Sequence, residues 1–311
     1  FFFKQKTAYE IRNCDWSSDV CSSDLPPMRH GPLLALPFLA AGAARADVVV
    51  ATYAGPTSFN YQVTQMPDLD QIRSSLPNTG NMYCAPTSTV NMLAYAANHG
   101  FPELYPLPGD WQSQSNFTLA SLAIASTGLL MGTDPVDGTT GNGAYNGLKK
   151  ALWTGTHGAL YAAHAYTSAS FALRLHHLAK YGACGGLVQF CYGRYPVTSV
   201  SGSTVQVGDR DGGHCLTLDG ASPSGPFADF FMSMRDPAGK ATPDLMQSPF
   251  VSRTSDIYTV TRMSSQLGTG LADAIDWGPQ QTMGTIRLLD GFMAILPGGA
   301  LTFTQNSEIG R

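Results

Sequence analysis

Charge is scarce in this chain. The 18 Lys and Arg and 22 Asp and Glu make up only 13% of 311 residues and leave a formal net charge of −4. No basic block is present, so the electrostatic footprint of a nucleic-acid or anionic-membrane binder is missing. The six cysteines never form a C-x-x-C pair, which argues against a structural zinc site. No apolar run reaches the ~20 residues that cross a bilayer, and no internal repeat is visible. Asp134, Asp137 and the Asp209-Arg210-Asp211-Gly212 turn lack the closing glutamate of an EF-hand loop and read as solvated turns. Turn chemistry is plentiful instead, with 33 Gly and 20 Pro.

The chain ends carry their own signals. The first 25 residues, with Cys14-Asp15-Trp16-Ser17-Ser18-Asp19-Val20-Cys21 at their centre, resemble a sequencing adapter translated in frame rather than a Ser-rich tail. Residues 1–27 are therefore set aside, and Cys14 and Cys21 with them. Glu308-Ile309-Gly310-Arg311 resembles the start of the same adapter. Met28-Arg29-His30, an apolar stretch from Leu33 to Ala44 and the Ala44-Arg45-Ala46 motif then read as a signal peptide over 28–46. Cleavage before Asp47 is expected to release a soluble protein outside the cytoplasm, with no membrane association. The mature part, 47–307, has roughly 260 residues, enough for one large domain or two lobes around a sizeable core. In an oxidising compartment two of Cys84, Cys184, Cys191 and Cys215 can pair. Cys184 and Cys191 are neighbours in sequence, and either can equally meet Cys215, so connectivity stays open.

Residues 47–80 read as turn-rich and irregular. Helices are predicted over Ala85–Asn98 (Pro86 in the first turn, Gly100 past the end), Phe117–Leu130 (capped by Ser115 or Asn116), Ala144–Trp153 (capped by Thr139 or Thr140) and Ser168–Tyr181. Strands are predicted next over Leu187–Tyr192, Thr204–Val207, His214–Leu218, Asp229–Arg235, Asp256–Thr261 and, with breaks, Thr285–Leu296. Helices first and antiparallel strands second make an α+β fold. A boundary near residue 182 separates a helical lobe (60–182) from a β lobe (183–300).

Cys84 opens the run Tyr83-Cys84-Ala85-Pro86-Thr87-Ser88 at the start of the first predicted helix. There the unpaired N–H groups and the positive end of the helix dipole favour thiolate, the nucleophilic form. About 130 residues later Gly213-His214 begins a strand, and Arg235-Asp236-Pro237 ends the next one. In order and spacing these three motifs resemble the papain-like cysteine peptidases, of the bacterial type related to bacteriocin-processing (double-glycine leader) peptidases. The resemblance covers about residues 65–245. It implies a catalytic cysteine at a helix N-terminus packed on a mostly antiparallel sheet. Cys84 is the nucleophile, His214 the base and acid, and Asp236 (with Asp219 and Asp229 as rivals) the group that orients the imidazole. In the family a side-chain amide about six residues before the cysteine, usually glutamine, completes the oxyanion hole; here that position is Asn78, with Gln71 and then Asn81 as fallbacks. The implied substrate is a peptide or protein, with no metal or organic cofactor and no nucleic acid. The same triad also serves cell-wall amidases and acyltransferases, and the scaffold without catalysis would be an exported binding module. The sequence does not fix the oligomeric state.

The remaining histidines carry little. His99 ends a helix, where a cation suits the dipole. His176 and His177 are adjacent on a helix and point about 100° apart, which does not favour chelation. His157 and His164 lack acidic or cysteine neighbours.

Overall fold

The computed structural model describes residues 50–106, 114–156, 158–167, 173–183, 185–201, 204–223, 230–238, 256–265, 271–276 and 284–297. The adapter-like stretch, the signal peptide, Cys184, His157 and Asp229 lie outside the described residues.

The central element is helix α1, Cys84–Asn98, which is buried on every side from Ala85 to Ala97. Its apolar residues Val90, Met92 and Leu93 enter the core. Its polar residues Ser88, Thr89 and Asn91 are equally buried, and each reaches a neighbour. The Ser88 hydroxyl donates to the Cys215 carbonyl at 2.9 Å. The Thr217 hydroxyl donates to the Ser88 carbonyl at 3.0 Å. Thr89 donates to Gln189 Oε1 at 2.6 Å, and Asn91 Nδ2 donates to Thr217 Oγ1 at 3.2 Å. Asn91 Oδ1 accepts the Leu69 N–H at 3.0 Å. A buried polar group is costly unless bonded, so this set fixes the helix against the sheet in one position.

Helices α2, Gln114–Met131, and α3, Gly141–Thr156, pack on one another and on α1. Of the two capping candidates for α3, Thr140 holds the position: its hydroxyl accepts the Gly143 N–H at 3.1 Å. Helix α4 runs over Leu175–Ala183, after non-helical Leu173 and Arg174; the predicted start at Ser168 lies outside the described residues. A distant residue sets the start at Leu175. Buried Asp273 accepts the Leu175 N–H at 2.6 Å and Arg174 Nε at 2.8 Å, capping the helix from another element.

Among the described residues ten strands form one sheet: β1 Val50–Gly55, β2 Ser58–Gln62, β3 Leu160–Tyr166, β4 Leu187–Ser201, β5 Thr204–Val207, β6 Gly213–Pro223, β7 Phe230–Arg235, β8 Asp256–Ser265, β9 Leu271–Asp276 and β10 Thr285–Pro297. The ladder β4–β6–β7–β8–β9–β10 returns to β4, so this part of the sheet closes on itself. Every pairing between these strands is antiparallel except the short contact of β5 with β8.

The α+β expectation holds, and six predicted strands are present. Four strands were not foreseen, and they change the layout. The segment 47–80, expected to be irregular, contains the β1–β2 hairpin, whose Tyr61 and Gln62 join β6 opposite Ala221 and Gly220. Alternation explains it: Phe59 and Tyr61 are buried between exposed neighbours. Strand β3 sits among the helices in sequence yet pairs with β10, and β9 fills the place between β8 and β10. The predicted breaks in β10 reduce to one register shift between Leu289 and Gly291. Cys191 and Cys215 stand opposite each other on β4 and β6 and form a disulfide.

Candidate active site

Cys84 is the first residue of α1. The preceding Tyr83 supplies no side-chain cap, and Pro86 has no N–H. The first helical hydrogen bond runs from the Thr87 N–H to the Tyr83 carbonyl. Among the described residues no carbonyl accepts the N–H of Cys84. The sulfur is free of any disulfide, and the residue is partly exposed. The sulfur is hydrogen-bonded to His214 and takes backbone N–H groups from Cys215 and Ala85.

His214 lies one residue into β6, opposite Tyr192 of β4. Its Nε2 meets Asp236 Oδ1 at 2.7 Å, with side-chain exposures of 13% and 18%. That leaves Nδ1 for the sulfur. Tyr192 packs edge-on against the imidazole, ring centres 5.9 Å apart. Asp236 comes directly after the last residue of β7, and the β6–β7 ladder, with Thr217 opposite Arg235, brings it alongside His214. Its Oδ1 also accepts the Ala238 N–H at 2.9 Å, so it closes a turn while it holds the histidine. The rival Asp219 is committed elsewhere. It pairs with Arg235 Nε at 2.7 Å, and Asp68 lies 3.9 Å from the same guanidinium. Arg235 thereby ties β7 to β6 immediately before Asp236.

The electrostatics arise from these contacts. Burial pushes the Cys84 thiol up, but the His214 hydrogen bond and charge and the two backbone N–H groups outweigh it and lower the pKa. For His214, burial opposes the cation, and the bonds and charges of Asp236 and Cys84 reverse that, so its pKa is raised. Each shift supports the other, and together they favour a thiolate–imidazolium pair over the neutral pair.

The oxyanion donors come out differently from expectation. Asn78 is not brought to the sulfur. It sits in a left-handed turn (φ 49°) and its Nδ2 donates outward to the Pro135 carbonyl at 2.9 Å. The short Asn arm is occupied in bracing that turn. Gln71 is buried, but its Nε2 donates to the carbonyls of Gly80 (3.1 Å) and Asn81 (2.8 Å). Its own N–H bonds the Pro237 carbonyl at 2.8 Å. Gln71 thus links the segment before Cys84 to the turn that carries Asp236. Asn81 is exposed and contributes its carbonyl to that link. The Cys84 N–H is the donor that this arrangement leaves open.

Three other described histidines make structural contacts. His177 Nδ1 accepts the Arg174 N–H at 2.9 Å. Burial, followed by the fields of neighbouring His176, Arg174 and Lys180, pushes its pKa down to about 3. His164 lies between Tyr145 and Tyr166, and His99 stacks on Tyr95. Among the described residues no group of three metal-ligating side chains comes together, and no helix is long and apolar enough to cross a membrane.

No protein family, curated protein or solved structure matches the chain.

Proposed function

We propose that the protein is an exported cysteine hydrolase of papain-like type, cleaving peptide bonds through Cys84, His214 and Asp236. The observation that carries the reading is the continuous line from an uncapped helix N-terminus through the sulfur and the imidazole to a carboxylate, closed by the 2.7 Å contact. The Cys84 thiolate attacks a carbonyl carbon, and the resulting oxyanion faces the Cys84 N–H and the positive end of α1. The His214 imidazolium gives its proton to the leaving nitrogen as the carbon–nitrogen bond breaks, leaving a thioester. Neutral His214 then takes a proton from water, the hydroxide oxygen adds to the thioester carbon, and the carboxylic acid departs as the thiolate is restored. Asp236 stays ionised throughout and holds the imidazole in place. The export assignment rests on residues 28–46 of the sequence.

The test combines two measurements on the full chain. Iodoacetamide is expected to label Cys84 rapidly at mildly acidic pH, where an ordinary thiol is inert. Mass spectrometry of a peptide library is expected to show cleavage by the wild type and none by Cys84→Ala. Rapid labelling without cleavage would redirect the triad toward cell-wall amides or acyl transfer. An unreactive Cys84 would leave a binding module on this scaffold.

A further inference from the structure

The Cys191–Cys215 disulfide stands next to the reacting groups, and the hydrolytic steps do not use it. Cys215 follows His214 on β6, and Cys191 precedes Tyr192 on β4. The register sorts the backbone groups of these strands. The Arg194 N–H donates to the Gly212 carbonyl at 3.0 Å, so Gly212, His214 and Leu216 turn their N–H and C=O toward β4. In an antiparallel ladder the residues between them turn theirs the other way. Cys215 is one of those. Its Cα lies 4.0 Å from that of Cys191, the close spacing of a non-hydrogen-bonded pair.

Cys215 turns instead toward the start of α1. Its N–H is taken by the Cys84 sulfur, and its C=O accepts the Ser88 hydroxyl at 2.9 Å. Both main-chain groups of this one residue are therefore committed to the helix that carries the nucleophile. The link from Cys215 to β4 is made by its side chain, as a covalent bond. Ser88 is fixed in turn from β6, through the Thr217 hydroxyl on its carbonyl at 3.0 Å. A hydrogen bond to an ion weakens steeply once its donor moves out of line. A covalent hold on the residue that supplies the donor limits that movement.

We infer that the Cys191–Cys215 bridge is a positioning element of the active site, holding Cys215 so that its N–H stays on the Cys84 sulfur. The inference deepens the hydrolase reading and rests on it, because a held sulfur matters to a nucleophile. A bridge that only adds stability leaves the titration of the sulfur alone, whereas a positioning bridge changes it. The titratable group that meets the sulfur is His214 of β6, with Asp236 behind it after β7. Helix α1 carries no charged side chain, and β4 presents the Tyr192 ring to the imidazole. Opening the bridge replaces none of these groups.

The test follows alkylation of Cys84 by iodoacetamide against pH, read by peptide mapping of the intact chain. Cys191→Ala/Cys215→Ala removes the bridge and keeps the N–H. Its thiolate titration is expected about half a pH unit above that of the wild type, which slows alkylation on the acid side about threefold. Wild type treated with a dithiol gives the same comparison without substitution. Both halves of the bridge are partly exposed. The dithiol gives the bridge two electrons and two protons, leaving two thiols, and becomes a disulfide itself; it is removed before alkylation. Ser88→Ala frees the Cys215 carbonyl and is expected to shift the titration in the same direction. Thr89→Ala breaks a hydrogen bond of α1 that does not touch Cys215, and its titration is expected to stay in place. A titration unmoved in both the double variant and the reduced wild type overturns the inference. An equal shift in Thr89→Ala overturns it as well, because any loosening of α1 would then suffice. The hydrolase reading is decided separately, by peptide cleavage: a shifted titration without cleavage by the wild type defeats that reading and leaves the positioning role standing.

Discussion

Replacing Asp236 with asparagine isolates the charge of the third group from its geometry. The amide keeps an acceptor for the Ala238 N–H and for His214 Nε2, which the carboxylate now holds at 2.9 and 2.7 Å. What is lost is the difference between a charge-assisted and a neutral hydrogen bond in a site where both side chains are less than one-fifth exposed. A charged partner contributes about 1.5–3 kcal/mol and a neutral one about 1, so roughly 1 kcal/mol disappears. Since one pKa unit is about 1.4 kcal/mol, the His214 pKa is expected to drop by about one unit. His214 is raised, so its proton is present at low pH and lost as pH rises. Cys84 is lowered, so its thiolate is lost as pH falls. The thiolate–imidazolium pair therefore exists in a window between the two titrations. In Asp236→Asn the alkaline edge of that window moves to lower pH. Hydrolysis measured against pH reads this edge directly, because the proposed mechanism uses the imidazolium as the acid for the leaving nitrogen. An alkaline edge that stays in place would refute the role of the Asp236 charge, whatever happened to the maximal rate.

The same contacts set three other outcomes. His214→Ala is expected to slow hydrolysis more than Asp236→Ala, because the first removes the proton carrier and the second only its support; steady-state kinetics rank them. Asn91→Ala leaves the buried Leu69 N–H without its acceptor and removes the amide that donates to the Thr217 oxygen, and urea unfolding should show a loss of about 1–3 kcal/mol. The double variant Cys191→Ala/Cys215→Ala opens a bridge with a sequence separation of 24, for which chain entropy gives a loss of about 3 kcal/mol in the same assay.

The legible part of the site was the part written in local chemistry. A cysteine followed by Ala85-Pro86 announces a helix start, because proline tolerates only the first turn. Gly213-His214 marks the start of a strand, and Arg235-Asp236-Pro237 marks the end of the next one. The contacts that place these residues relative to one another were not legible. Ser88, Thr89 and Asn91 look like the solvent face of an amphipathic helix, yet all are fully buried. Their partners Cys215, Thr217 and Gln189 lie about 100 residues or more away. The start of α4 depends on Asp273, about 100 residues downstream. The choice of Cys191 as the partner of Cys215 depends on the β4–β6 register, which no single strand encodes. Asn78 misled because spacing alone says nothing of the left-handed turn that aims its amide at Pro135.

The open end of α1 ties the fold to the proposed chemistry. Most helices satisfy their first N–H groups with a side chain worth about 1 kcal/mol. Here Tyr83 provides none, and its ring is instead wedged against Gly128 of α2, where a Cβ would fall 3.2 Å from Cδ1 and closer still to Cε1. A capping serine, aspartate or asparagine at position 83 would place its oxygen where the sulfur and a developing oxyanion need to be. The helix therefore forgoes its cap, and the zipper of buried hydrogen bonds from Ser88 to Asn91 offsets the loss one turn further along. An uncapped helix end inside a protein calls for a partner. The sulfur takes the Ala85 N–H, and the Cys84 N–H, which has no carbonyl partner among the described residues, lies where the proposed reaction would build up charge on the oxygen of the attacked carbonyl.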